Sequence, residues 1–445
     1  MLYFHFVFAI VLWEFCALKA ECRETCICLS QEIDGLRNPI HIEPAKNEGE
    51  NVYFIGEQIG IIYLYNPKQS LGNKLTAYIN VSDRIVLEKN AHDERGLLGF
   101  AVHPMFERNR KIYLYSVRTL NERQFAVISE ITSGDVGTER QLLFIEQPGD
   151  IRNGGQLLFG NTDGYLYIFV GDGGPIHTKD IQAQNTSSLL GKVLRVNVDA
   201  TEVIDNKLQF YVIPHDNPKH AEWRPEVFSV GFRNSWRCSQ DAGKPSGEGK
   251  GRIFCGELGG DIADEVNIIE KGGNYGWPVK EGNTCTNVSA KCDTLDNERT
   301  PVLSIPHSDK GMQALVGGPL YRGRDVTSLD GKLILGDVFG GSLFTVGEVN
   351  GQWKTEPLPF CDKGTCSCTA REHMSSVLLS FGQTHEGEVL LLMTDDVSIH
   401  PGSDRGRVLR MHAPAFPNPV TCGASCLQPM TALLVIAGWL CAKWS

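Results

Sequence analysis

The stretch "GKVLRVNVD", residues 191–199, decides how the chain is read. A glycine opens it, Leu194, Val196 and Val198 recur at a spacing of two, and an aspartate closes it. That is the period of a strand with one buried face, bounded by turn residues. The same design returns as "GIIYLYN" at 60–66 and "GRVLRMH" at 406–412. Further alternating runs are "NVYFIGEQIGIIYLYNP" (51–67), "RKIYLYSV" (110–117), "YLYIFVGDGG" (165–174), "GKLILGDVFGGSLFTVGE" (331–348) and "GEVLLLMTDD" (387–396). Between residues 35 and 412 almost nothing shows the 3.6-residue period of an amphipathic helix. One strand type reused over that length predicts an all-β fold, a disulfide-stapled β-propeller of four-stranded blades around a channel. At roughly 40 to 60 residues per blade, six or seven blades fit. The competing architecture is a pair of β-sandwiches. The absence of a Pro/Ser-rich linker favours one domain, which ends before the proline-rich exit "APAFPNP" (413–419).

Composition narrows the partners. The 445 residues are 42% hydrophobic, enough for a large core, and carry a formal charge of −11. A net negative surface repels nucleic acid and anionic lipid. Forty-seven glycines and 21 prolines without collagen periodicity indicate many turns.

Both ends read as processing signals. Residues 4–11 are apolar and "LKA" at 18–20 offers a small residue for cleavage, so residues 1–20 are expected to be a signal peptide. Residues 21–34 then form a short cysteine-containing stub before the propeller at 35–412. In the tail, 413–445, the apolar run 430–442 is short for a transmembrane helix. Gly423, Ala424 and Ser425 precede it, as in a signal for a GPI lipid anchor. Cleavage there would separate Cys422 from Cys426 and leave an odd number of cysteines. Cys16 and Cys441 fall inside the terminal apolar segments.

The remaining cysteines lie in local sets: Cys22, Cys26 and Cys28; Cys238 and Cys255; Cys285 and Cys292; Cys361, Cys366 and Cys368. In an exported chain these read as disulfides, with the pairing left open. Zinc is the rival for "CRETCIC" and "CDKGTCSC", but neither has a matching CxxC partner or nearby histidines. Sequons at Asn80, Asn185 and Asn287 fit N-glycosylation on the secretory route, to the cell exterior or the outer face of the plasma membrane.

A propeller presents its function on the loops at one mouth of the channel. One such loop is "GDIRNGGQLLFG" (149–160). It looks like a place for a catalytic base, yet its prominent side chain is Arg152, which holds its proton at neutral pH.

Four segments carry a resemblance: "DERGLLGFAVHPMFERNRKIYLYS" (93–116), "NGGQLLFGNTDGYLYIFVGDGG" (153–174), "PEVFSVGFRNSWRCSQD" (225–241) and "DEVNIIEKGGNYGWPVKEG" (264–282). They resemble the glucose/sorbosone dehydrogenase domain over residues 28–412. The cysteines in "NSWRCSQD" and "GRIFCGEL" point to the Hedgehog-interacting-protein-like branch. The resemblance implies a six-bladed propeller. Its bacterial enzymes hold pyrroloquinoline quinone (PQQ) and calcium over the channel and oxidise aldoses. Its animal relatives are extracellular, often carry a folate-receptor-like domain before the propeller, and one blocks Hedgehog ligands.

Carried over residue by residue, the resemblance is mixed. Arg152 stands where the enzymes have a histidine base, Ser342 where relatives have a quinone-binding arginine, and Glu94 where the enzymes have glutamine. Arg233 and Asn234 match the cofactor-contacting pair, Gly259 and Gly260 a turn that holds the cofactor's calcium, and Glu265 and Tyr275 carbonyl ligands of a structural calcium. The matches leave room for calcium, and the departures at Arg152, Ser342 and Glu94 argue against PQQ. Arg152 is expected to attract an anion or pair with a carboxylate across the mouth. The loop that reaches Hedgehog's zinc in the relative corresponds to residues 171–191. Beyond Asp172 it holds only Asp180 as an acid, and Gln184 stands where an acid is expected. An amide is a poor zinc ligand, which argues against that mode of Hedgehog capture. The expected role is an extracellular binding or signalling module for a protein or matrix ligand, with a degenerate dehydrogenase site and contact with membranes only through a lipid anchor. The alternative is a PQQ/calcium-dependent aldose dehydrogenase of weak or altered activity.

Overall fold

Six four-stranded antiparallel sheets follow one another along the chain and close into a ring. The structure, a computed structural model, describes residues 26–414 apart from 70–74, 89–92, 175–181, 221, 289–291, 309–313, 340, 362–367, 369–376 and 399–402. Blade 1 covers residues 39–80, blade 2 97–146, blade 3 154–230, blade 4 235–306, blade 5 315–357, and blade 6 377–412 joined by residues 28–36. Two short hairpins, at 202–209 and 280–285, are inserted in blades 3 and 4. The propeller is confirmed, with six blades.

The three glycine-led repeats are one structural part. Ile61–Tyr65, Lys192–Val196 and Gly406–His412 are each the third strand out from the axis, in blades 1, 3 and 6. Lys192–Val196 is buried along its whole length, because blades pack face to face and both faces of a mid-blade strand meet protein. Burying one Leu or Val of this kind stabilises by roughly 1.5–3 kcal/mol.

Near the axis the blades converge, and the first strands touch in sequence around the ring. Small residues permit this. A Cβ on Gly99 in blade 2 would fall 2.2 Å from the carbonyl oxygen of Gly155 in blade 3, so no larger residue fits there.

The ring is closed by the chain's own ends. Cys28–Leu36 pairs antiparallel with Gly406–His412, Cys28 opposite His412, and becomes the outer strand of blade 6. Much of the expected stub at 21–34 is therefore part of the propeller. Two disulfides reinforce this seam: Cys26–Cys361 and Cys28–Cys368, with Cα separations of 4.9 and 5.6 Å. Cys26 and Cys28 of the N-terminal set thus pair with Cys361 and Cys368. The other two sets pair internally, Cys238–Cys255 across adjacent strands and Cys285–Cys292. The sulfurs of Cys28, Cys361 and Cys368 lie within 4.8 Å, but each is in a disulfide and none is a free thiolate for zinc. Residues 1–25, Cys22, Cys366 and the tail from 415, with Cys422, Cys426 and Cys441, lie outside the described residues, as does Asp180. No helix among the described residues is long and apolar enough to cross a membrane.

Candidate functional site

Loops from blades 2, 3 and 4 meet at one mouth of the channel. In the loop leading into blade 3, Arg152 adopts φ 57°, a left-handed conformation that costs a non-glycine residue about 1 kcal/mol or more. Its surroundings hold it there. The Arg152 amide donates to Glu94 Oε2 at 2.5 Å, and its carbonyl accepts the Gly173 amide at 3.0 Å. The guanidinium is buried and donates through Nη1 to Asp172 Oδ2 at 3.1 Å. The same Asp172 oxygen accepts the Trp277 indole N–H at 2.9 Å. The expected partner across the mouth is therefore Asp172. Neither Asp172 nor Trp277 carried a site role in the sequence reading; the only signal for Trp277 is its place in "NYGWP".

Glu94 faces solvent, yet protein crowds its carboxylate. That crowding raises its pKa, partly offset by the Arg152 amide and the charges of Arg233 and Arg152. Arg233 shows the converse: burial lowers its pKa, and the neighbouring Arg152 lowers it further. Its Nη1 donates to the Leu258 carbonyl at 3.0 Å, and its guanidinium lies 5.5 Å from the Trp277 ring centroid. The mouth therefore holds two guanidiniums around one indole and one shared carboxylate.

Asn234 sits beneath this group. Its side-chain oxygen accepts the Gly154 amide at 3.1 Å, which braces the Arg152 loop. Its own amide and that of Arg233 donate to Glu257 Oε1, while Ser235 Oγ donates to Oε2 at 2.6 Å. Burial pushes Glu257 up to about 8, despite those donors.

In blade 4 the Gly259 amide donates to Asp264 Oδ1 at 2.8 Å, and the Gly260 amide to Glu281 Oε1 at 2.8 Å. Glu281 Oε1 also receives the amides of Ile262 and Ala263, so this acid braces the turn. Glu265 is mid-strand, opposite Glu257 on one side and Ser304 on the other. Burial and the nearby acids Glu281 and Asp264 raise its carboxyl to about 7. Tyr275 docks on blade 3 through its amide to the Val230 carbonyl and stacks on Phe232 at 4.6 Å. Gln184 points toward the 274–277 segment of blade 4: its amide exchanges hydrogen bonds with Asn274 and donates to the Trp277 carbonyl at 2.9 Å. The sequon residues Asn80, Asn185 and Asn287 are all exposed.

A cleft of about 1290 Å³ opens over blades 2–4. Arg152, Asp172, Arg233, Gly260, Trp277 and Glu281 line it. Phe144 and Val288, 46% and 52% exposed, stand on its rim beside Asn287. Asn234, Gly259, Glu265, Tyr275 and Ser342 are not among the lining residues; Ser342 lies in blade 5, where its carbonyl accepts the Asp337 amide. The cleft is larger than the roughly 300–1,000 Å³ of ordinary small-molecule pockets. Its described lining holds no histidine.

These residues do not fit PQQ chemistry. The position that the resemblance gives to the base holds a guanidinium already paired with Asp172, and the Glu94 carboxylate, which accepts the Arg152 amide, places a negative charge beside it. For calcium the donor set is suitable, since the turns at 259–265 and 275 are rich in carbonyl and carboxylate oxygens.

Comparison with known proteins agrees with this geometry. Residues 36–357 match the Glucose / Sorbosone dehydrogenase family. Among curated relatives, the HIPL2 protein of Arabidopsis thaliana is 28% identical over 427 residues, covering 79% of this chain and 60% of its own length. Hedgehog-interacting protein of Homo sapiens is 28% identical over 441 residues, covering 94% of this chain and 57% of its own. The chain thus spans about three-fifths of the length of these relatives. Two solved structures share the fold: the apo soluble aldose sugar dehydrogenase of Escherichia coli (TM-score 0.62, 20% identity, 87% of this chain and 99% of that one) and the PQQ-bound aldose sugar dehydrogenase of Streptomyces coelicolor (TM-score 0.59, 20% identity, 87% and 98%). The chain belongs to the Glucose / Sorbosone dehydrogenase family, on the side of it that is similar to Hedgehog-interacting protein.

Proposed function

We propose that the chain is an extracellular or cell-surface binding module that works through the cleft over blades 2–4, and that its dehydrogenase site is degenerate. One observation carries this reading: the buried guanidinium of Arg152, at the position that the resemblance gives to the base, is held by Asp172. A positioned base is worth about 10²- to 10⁴-fold, and an arginine does not accept a proton near neutral pH.

A protein or matrix partner suits the size of the cleft and its exposed Phe144 and Val288. The relative named for Hedgehog interaction makes a Hedgehog ligand one partner to test. Gln184 argues against a zinc-reaching acidic loop, because its amide is spent on Asn274 and Trp277. The disulfides among the described residues, the exposed sequons and the expected leader at 1–20 support passage through the secretory pathway, and the tail supports a lipid anchor. A structural calcium held by the carbonyls of Glu265 and Tyr275 would brace blade 4, and Gly259 and Gly260 would hold the cofactor's calcium.

The test is dye-linked oxidation of an aldose panel by the chain supplied with PQQ and calcium, beside Arg152→His. No turnover by the natural chain is expected. Turnover by it overturns the reading in favour of the weak dehydrogenase, whereas turnover by the variant alone identifies Arg152 as the change that silenced the site.

A further inference from the structure

Below the mouth, one dipeptide spans the channel. Trp236 and Arg237 lie on the first strand of blade 4, Ser235–Gln240. The Trp236 indole donates to the Leu379 carbonyl on the first strand of blade 6, at 3.2 Å. Arg237 Nη1 donates to the Leu98 carbonyl on the first strand of blade 2, at 3.0 Å. Blades 2 and 6 are not neighbours of blade 4, so both side chains cross the axis. The guanidinium carbon lies 3.8 Å from the Trp236 ring centroid, and the pair closes the channel.

Arg237 is otherwise exposed to a severe penalty. The residue is 3% exposed, and its Nε and Nη2 are buried without a hydrogen-bond partner among the described residues. Among the described residues no carboxylate pairs with it, and burial alone lowers its pKa, to about 9. It therefore remains charged at neutral pH. A carbonyl and an indole face soften that charge but do not neutralise it, and an uncompensated buried ion is among the costliest features a fold can carry. Its backbone adds to the burden, with φ 70°, a conformation suited to glycine.

We propose that a halide-sized monoanion binds inside the channel against Nε and Nη2 of Arg237, completing the Trp236–Arg237 plug. A water molecule can accept from these donors but cannot balance the charge. A Cβ added to Gly317 of blade 5 would fall 2.2 Å from the Arg237 carbonyl oxygen, and one on Gly155 of blade 3 would fall 2.3 Å from Leu98 Cβ, so the strands around the axis approach closely and favour a small anion over a larger carboxylate or phosphate ligand.

The experiment has two arms on the whole chain. Thermal unfolding is followed while chloride replaces gluconate at constant ionic strength, and crystals grown in bromide are measured at the bromine edge. The expected results are a Tm that rises with chloride concentration, as binding to the native state requires, and an anomalous peak beside Arg237. Arg237→Gly suits the left-handed backbone and removes the guanidinium, so it should fold with a Tm independent of halide. A wild-type Tm indifferent to halide, or bromide found only elsewhere, overturns the proposal.

Discussion

The seam of blade 6 and the mouth over blades 2–4 are built on opposite principles. At the seam a strand from the start of the chain meets a strand from its end, and the contact is apolar and covalent. Leu29, Ile33 and Leu36 are buried there, and two disulfides join residues more than three hundred positions apart. At the mouth the contacts are ionic and strained: Arg152, Asp172, Arg233 and Glu94, with Trp277 among them. Apolar burial and cross-links hold a ring shut whatever touches it. Ionic and strained contacts are costly for stability and suited to binding, and here they line an open cleft that a partner can reach.

The largest break of this contrast is at the seam. Replacing Cys26, Cys28, Cys361 and Cys368 together by alanine should lower the unfolding free energy by about 4 kcal/mol, since cross-links closing very long loops restrict the unfolded chain most. Urea unfolding measures it, and a loss under 1 kcal/mol would mean strand pairing alone closes the ring. Next comes the mouth. Asp172→Ala strands the Arg152 guanidinium and should cost about 3 kcal/mol, while the double variant with Arg152→Met should recover part of it. If the double variant is no better than the single, the pair is not the organising contact.

A smaller effect sharpens the electrostatic half. Glu257 is protonated in the fold up to about pH 8, whereas unfolded it ionises near 4.5. The folded chain therefore holds an extra proton between these limits, and the stability it brings is complete below pH 4.5 and lost as pH rises through about 8. Glu257→Gln mimics the neutral acid, so its stability between pH 5 and 9 should fall less than the wild type's, by about 1 kcal/mol or more. Parallel pH profiles would show that the carboxyl does not titrate there. The smallest effect is at Gln184. Gln184→Ala breaks a reciprocal amide pair and should cost under about 1 kcal/mol while loosening the cleft wall, read by hydrogen exchange at residues 182–191.

Much of the architecture was legible because it is local. Alternation and turn residues mark the strands, and the glycine-led repeat marks the third strand in three of the six blades. Leu194 and Val196 announce burial by their spacing alone. The role of Arg152 was half legible: its chemistry excludes a base at any position, but nothing near it in the chain names Asp172 as its partner. Gln184 was legible as an amide, and its inward direction was not.

What the amino-acid order determined without help is therefore the strand content, the repeat, the local cysteine sets and the absence of a proton acceptor in the side chain of residue 152. Tertiary structure alone decided the rest. The fourth strand of blade 6 comes from residues 28–36, the N-terminal cysteines seek Cys361 and Cys368, and Trp236 and Arg237 plug a channel formed by five other blades. Each of these depends on contacts between segments far apart in sequence. Their energy exists only after the ring has closed, so no short window of residues can signal them.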